Sequence, residues 1–149
     1  MRTEHQIRFS DACDMRAVDS ESVHLVVTSP PYPMIEMWDG LFRRSRKIEK
    51  ALSSQEGNLA FEMMHQMLDP VWAEIYRVLV PGGIACINIG DATRSLKDTF
   101  ALYPNHTRVV SKMRELGFLN LPTILWRKQT NAPNKFMGSG MMPPGAYAT

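Results

Sequence analysis

Val23-His24-Leu25-Val26-Val27-Thr28-Ser29-Pro30-Pro31-Tyr32 decides how this chain is read. Its first half is β-branched and nearly all apolar, the pattern of a strand buried on both faces in a parallel sheet. The strand must end at Pro30-Pro31, because proline lacks the N–H that a ladder needs. A short polar and aromatic turn, Thr28 to Tyr32, is thereby delivered to the carboxyl end of a buried strand. Open α/β sheets bind their ligands at that edge.

Working outward, Gln6-Ile7-Arg8-Phe9 alternates apolar and polar residues and predicts a strand; 10–22 is polar, with room for a helical turn or two. Residues 33–58 read as a long connection with one helix near 48–52, a length usually functional or mobile. Across 61–79, Met64, Leu68, Val71, Trp72, Ile75, Val78 and Leu79 fall on one helical face. Pro70 interrupts that pattern, so two helices or a kink are both open. Pro81-Gly82-Gly83 stops the helix, and Ile84-Ala85-Cys86-Ile87-Asn88-Ile89 predicts a second buried strand closed by Gly90-Asp91. A further helix starts near Asn105, a good N-cap, and ends before Gly117, with Val109, Val110, Met113 and Leu116 as its apolar positions. Residues 118–126 predict a third main strand, interrupted by Pro122; 131–149 reads as loop, with Tyr147-Ala148-Thr149 beginning a strand it does not complete. Strand, loop, helix, strand, helix, strand is the grammar of an α/β sheet in one domain, 1–149. Both polar clusters, Thr28 to Tyr32 and Gly90-Asp91, fall at strand carboxyl ends.

The totals exclude more than they assign. No stretch approaches the roughly 18 uncharged apolar residues of a membrane span, and the start of the chain is polar, with no secretory signal. The cysteines, Cys13 and Cys86, lie far apart, which argues against a zinc site or disulfide framework and makes a reducing cytoplasm the default. The four histidines do not cluster at metal spacing, so no metal is expected. A net charge of +2 neither supports nor excludes nucleic acid. Charge is uneven, however: Arg43-Arg44-Ser45-Arg46-Lys47 puts four cations directly after the turn. Such a run is either a solvated face or a set of phosphate contacts.

The turn has a chemistry of its own. The exocyclic amine of a nucleobase is a poor nucleophile, because its lone pair is delocalised into the ring. A catalyst must place acceptors against the amino hydrogens and grip a base turned out of the stack. The Ser29 hydroxyl and the Pro30 carbonyl, outside any ladder, are two such acceptors. The prolines fix φ and preorganise both. Tyr32 offers an aromatic face to the base. The alternative reading is a plain proline turn with Tyr32 packed on the surface.

The stretch Val26 to Tyr32 resembles the catalytic motif of the N4-cytosine and N6-adenine DNA methyltransferase family, in its catalytic-motif-first, permuted order. The resemblance continues in Glu74-Ile75-Tyr76-Arg77-Val78-Leu79-Val80-Pro81-Gly82-Gly83 and in Ile87-Asn88-Ile89-Gly90-Asp91. It extends to Trp126-Arg127-Lys128 and Asn131-Ala132-Pro133-Asn134-Lys135. It implies a Rossmann-like fold, S-adenosylmethionine as donor, double-stranded DNA as substrate, and restriction–modification as the setting. Ser29, Pro30, Pro31 and Tyr32 become the catalytic set. Serine at position 29 points to cytosine N4, whereas the adenine enzymes more often carry aspartate or asparagine there. Asp11, Thr28 and Asp91 become donor-side contacts, although Asp11 follows Ser10 where the family usually has glycine, and both aspartates read equally well as cap or loop residues. Arg43, Arg44, Arg46 and Lys47 become DNA contacts.

The family's Phe-x-Gly-x-Gly donor loop is missing. Phe136-Met137-Gly138-Ser139-Gly140 is only superficially similar, because no β-branched strand precedes it. The expectation is an incomplete methyltransferase domain: a truncated product, a split half or a fragment. It would expose a sheet edge and favour a complementary chain, a homodimer or poor solubility. A non-catalytic DNA-binding remnant is the reading from a different class. Cys86 and His24 are expected in the core, and His65 and His106 as structural or exposed helix residues. Met37 and Trp38 could close over a base or pack in the core.

Overall fold

The computed structural model of the chain describes residues 2–97 and 99–126. The parallel pair is present. β1 (Val23–Thr28) lies beside β2 (Leu79–Ile87), with Val23 opposite Leu79 and then Leu25 opposite Ile84 through Thr28 opposite Ile87. The register jump throws Val80 to Gly83 out of the ladder. Pro81 has no N–H to give, and Gly82 adopts φ 80, so this sequence suits a bulge. The helix therefore stops earlier than the Pro-Gly-Gly turn suggests.

The crossover from β1 to β2 runs through a 3₁₀ turn at Glu36–Trp38, a single helical turn α1 (Asp39–Phe42), α2 (Arg46–Ser53) and α3 (Gly57–Val78). α3 is one helix of 22 residues that runs through Pro70. Pro70 lies between two anchored halves. Ala60, Phe61 and Met64 pack with Met34, Phe42, Ile48 and Leu52; Leu68, Trp72 and Ile75 pack with Leu79, Val109 and Met113. Burial on both sides holds the helix together across the hydrogen bond that proline removes.

α4 (Asn105–Leu116) follows, and it ends where expected. Gly117 takes φ 109, its N–H bonds Arg114 O at 3.0 Å, and Phe118 N–H bonds Met113 O at 3.1 Å, a left-handed C-cap. Val110 on this helix is exposed, not packed.

Between β2 and α4 lies a hairpin that the sequence reading did not contain. β3 (Ala92–Leu96) pairs antiparallel with β4 (Thr99–Tyr103), Ala92 opposite Tyr103. It is locked down by a bidentate pair, Arg94 Nη1 and Nη2 to the Asp39 carboxylate at 2.8 and 2.7 Å.

Three expectations are corrected. β1 and β2 are covered on one face only: Val23, Val26, Ala85 and Ile87 face the α3–α4 core, while Leu25, Val27 and Ile84 are 56%, 72% and 46% exposed. His24 and Cys86 are accordingly exposed and not in the core. Residues 6–9 and 118–126 form no strand, because no neighbouring strand among the described residues offers them a ladder; Phe9 and Leu119 stand in solvent. No helix among the described residues is long and apolar enough to cross a membrane. Residues 127–149, and with them Arg127-Lys128, Asn131 to Lys135, Phe136 to Gly140 and Tyr147 to Thr149, lie outside the described residues.

Candidate active site at the end of the first strand

Asn88 N–H bonds Thr28 O at 2.8 Å, extending the parallel ladder one residue past β2. The chain then runs irregularly through Ser29-Pro30-Pro31-Tyr32 and turns at Pro33-Met34, where Ile35 N–H bonds Tyr32 O at 3.2 Å; Pro30 and Pro33 are buried, Ser29 exposed and Tyr32 half-buried. The Tyr32 hydroxyl donates to Asn88 O at 3.1 Å. Its single proton is thereby used. In the 3.3 Å contact between Ser29 Oγ and Tyr32 Oη, Ser29 is then the donor and keeps its lone pairs. The Pro30 carbonyl has no donor among the described residues. Both acceptors of the turn are therefore unspent.

Gly90 closes the other side. A Cβ there would stand 3.5 Å from Tyr32 Cε2, an ordinary contact, so the ring rests against the residue-90 backbone. Beyond Tyr32 the backbone is strained: Met34 takes φ 66, the left-handed region that a residue with a Cβ seldom enters. Its buried side chain and a bond from its N–H to Met64 Sδ at 3.4 Å hold it there.

The other expected site residues are placed unevenly. Thr28 ends β1, directly at the turn. Asp11 is exposed on a separate loop; one carboxylate oxygen accepts the Cys13 N–H at 2.9 Å, and this bond holds its pKa below the usual carboxylate value. Asp91 serves α4: it accepts His106 N–H at 3.1 Å and the His106 ring Nδ1 at 2.7 and 2.8 Å. The cap reading of Asp91 is the one its geometry displays. Within the cationic run, Arg43 is engaged by Glu49 at 2.7 Å and Asp39 at 3.6 Å. Arg44, Arg46 and Lys47 are exposed or half-exposed and enter no ion pair among the described residues. Met37 is exposed, while Trp38 packs against the core.

Comparison with known proteins now bears on this geometry. Residues 23–141 match the family model described as DNA methylase, of the N6 and N4 type. The chain belongs to this DNA methylase family. Among its relatives, the type II methyltransferase M.MjaI of Methanocaldococcus jannaschii is 52% identical over 159 residues, 99% of this chain and 52% of that protein. The type II methyltransferase M.MthZI of Methanothermobacter thermautotrophicus is 51% identical over 151 residues, 100% of this chain and 42% of that protein. The methylase chain thus spans about half the length of the curated relatives it matches. A protein of Thermus thermophilus, described as a DNA modification methylase and crystallised with S-adenosyl-L-methionine, superposes with a TM-score of 0.56. Its identity is 27%, over 84% of this chain and 58% of that one. The Rossmann-like methyltransferase fold expected from the motif is the fold of this family member.

The candidate site also contains residues that the sequence reading missed. Asn105 was expected to cap α4, yet its side chain is fully buried and points away from the helix start. It bonds Pro33 O, Gly90 O and His65. His65 is fully buried, and burial pushes its pKa down to about 4. A histidine on the inward face of α3, four residues behind Phe61, was the available signal. A second unseen feature ties the 13–20 segment to α3. Glu74 accepts Met15 N–H at 2.7 Å, while Arg77 bonds Met15 O at 2.9 Å and Val18 O at 3.0 Å.

Proposed function

We propose that this chain carries the target-base part of an S-adenosylmethionine-dependent DNA methyltransferase that modifies the exocyclic N4 of cytosine, in the manner of a type II modification enzyme. The single observation that carries the reading is the pair of unspent acceptors, Ser29 Oγ and Pro30 O, at the carboxyl end of β1 beside an anchored aromatic ring.

The residues divide the work. Ser29 Oγ and Pro30 O accept the two amino hydrogens and draw the amine nitrogen towards sp³ geometry, which restores its lone pair. Pro30 and Pro31 hold both acceptors before the base arrives, so little ordering is left for the reaction. Tyr32, with its hydroxyl tethered to Asn88 O, presents its ring to the extruded base. Arg44, Arg46 and Lys47 meet phosphates of double-stranded DNA, while Arg43 braces α1 against α2.

Asp11 on its exposed loop and Thr28 at the end of β1 offer polar groups that suit a methyl donor. Asp11 has one carboxylate oxygen free of the Cys13 bond, and Thr28 presents its side chain where β1 ends. Asp91 contributes by fixing α4 against the start of β3. When bound, S-adenosylmethionine supplies an electrophilic methyl group on a sulfonium. The serine in place of an acidic or amide residue at position 29 supports cytosine over adenine.

Calorimetric titration with S-adenosylmethionine of the chain mixed with a candidate complementary half, with and without DNA, tests the donor half of this reading. Saturable heat at a one-to-one ratio is expected. Heat with DNA but none with the donor would leave a DNA-binding remnant in place of an enzyme.

A further inference from the structure

We propose that Asn105 is the positioning residue of the base-holding turn, clamping Pro33 and Gly90 together, and that His65 fixes the direction of its amide. The inference rests on the reading of Thr28 to Tyr32 as that turn.

The Asn105 amide is fully buried, and its oxygen and both its hydrogens are engaged. Its Nδ2 hydrogens go to Pro33 O and Gly90 O, each at 3.0 Å. Its Oδ1 lies 2.9 Å from His65 Nε2. An amide that donates twice can only offer its oxygen to His65, so His65 carries its proton on Nε2. The other ring nitrogen, Nδ1, is buried and has no partner among the described residues. Rotating the amide by 180° would set its N–H groups against the His65 N–H and its oxygen against two carbonyls. One histidine tautomer therefore locks one amide orientation.

The surroundings favour that neutral tautomer. Burial lowers the His65 pKa most; the Asn105 bond opposes this, Arg108 lowers it further, and Glu62 and Asp69 raise it. His65 is neutral around pH 7.

What the clamp holds is the site. Pro33 follows Tyr32 directly. Gly90 is the residue against which the Tyr32 ring rests, and Asn88, two residues before it, receives the Tyr32 hydroxyl. Asn105 thus joins the two chain segments between which Tyr32 sits, at the point where Met34 enters its left-handed conformation. Without it, the strain at Met34 has one hydrogen bond fewer to oppose it.

Backbone amide hydrogen exchange on the chain carrying Asn105→Asp, Asn105→Ala, His65→Leu or His65→Gln tests the clamp without requiring catalysis. Asn105→Asp, Asn105→Ala and His65→Leu are expected to speed exchange at the Ile35 and Asn88 amides, which bond Tyr32 O and Thr28 O, by about tenfold or more. Amides around Trp72 in α3 should keep their wild-type rates. His65→Gln, whose amide nitrogen can replace Nε2, should restore slow exchange. Unchanged rates at Ile35 and Asn88, or equal acceleration throughout α3, would overturn the proposal. In methyl-transfer assays with S-adenosylmethionine, DNA and a candidate complementary half that carries the donor loop, the disrupting variants should lose kcat by about tenfold with the donor KM unchanged. Absence of transfer by the wild-type chain together with that half would overturn the base-holding reading, and the exchange rates would still decide the clamp.

Discussion

Replacing Tyr32 separates the two contributions that the site asks of it. Tyr32→Phe removes one O–H donated to Asn88 O at 3.1 Å and leaves the ring beside Gly90. A neutral hydrogen bond at a half-exposed position is worth about 0.5–1.5 kcal/mol net. Stacking of a base on the ring, about 1–3 kcal/mol, is retained. The Phe variant should therefore transfer methyl groups to DNA within about tenfold of wild type. Tyr32→Ala loses the tether and the stack together, and its rate should fall by roughly tenfold to a thousandfold. Single-turnover transfer of a radiolabelled methyl group, with a complementary half supplying the donor loop, gives both rates, and a thermal melt of each variant controls for folding. A Phe variant as impaired as the Ala variant would refute the aromatic platform and move the chemistry to the hydroxyl. An Ala variant near the wild-type rate would remove Tyr32 from the site.

Other consequences follow from particular contacts. Asp39→Ala strands the Arg94 guanidinium, 8% exposed and already without a partner at Nε, so melting should fall by roughly 10 °C from a loss of about 3 kcal/mol; adding Arg94→Met should recover most of it, and a single variant that melts with wild type would contradict the burial argument. His65 binds a proton less readily folded, near pH 4, than unfolded, near 6.5, so its contribution to stability is complete above about pH 6.5 and is lost as pH falls towards 4. Urea titrations across that window should show a decline of about 3 kcal/mol that His65→Gln lessens. Replacing Arg44, Arg46 and Lys47 with alanine should weaken DNA binding alike on all sequences and flatten its salt dependence by about one unit of slope per residue. Arg43→Ala should leave that slope nearly unchanged, because Arg43 is already engaged by Glu49 and Asp39.

The elements that the sequence made legible are those whose pattern is local. β1 announces itself by β-branching and a proline stop, α3 by six apolar positions on one face, and the end of α4 by Gly117. The hairpin 92–103 was hidden because its inward face includes Arg94, a charge whose partner Asp39 lies 55 residues away. Nor do residues 96–99 carry the Asn-Gly or Asp-Gly pair that marks a tight hairpin turn. Apolar alternation at 118–126 misled for the opposite reason: a strand needs a neighbour, and alternation alone does not supply one. The same holds for the exposed His24 and Cys86, since residue type cannot tell a covered sheet face from an uncovered one. At the site, the turn itself was legible. Asn105 was not, because a helix-starting asparagine reads as a cap until Pro33, 72 residues upstream, is seen beside it.

Identifying the modified nucleoside tests the central claim most directly. DNA incubated with this chain, a candidate complementary half that carries the donor loop and isotope-labelled S-adenosylmethionine is digested to nucleosides and separated by mass. The account predicts label in N4-methylcytosine, lost when Ser29 is replaced by alanine. Label in N6-methyladenine would contradict the cytosine reading, and label that survives Ser29→Ala would contradict the site.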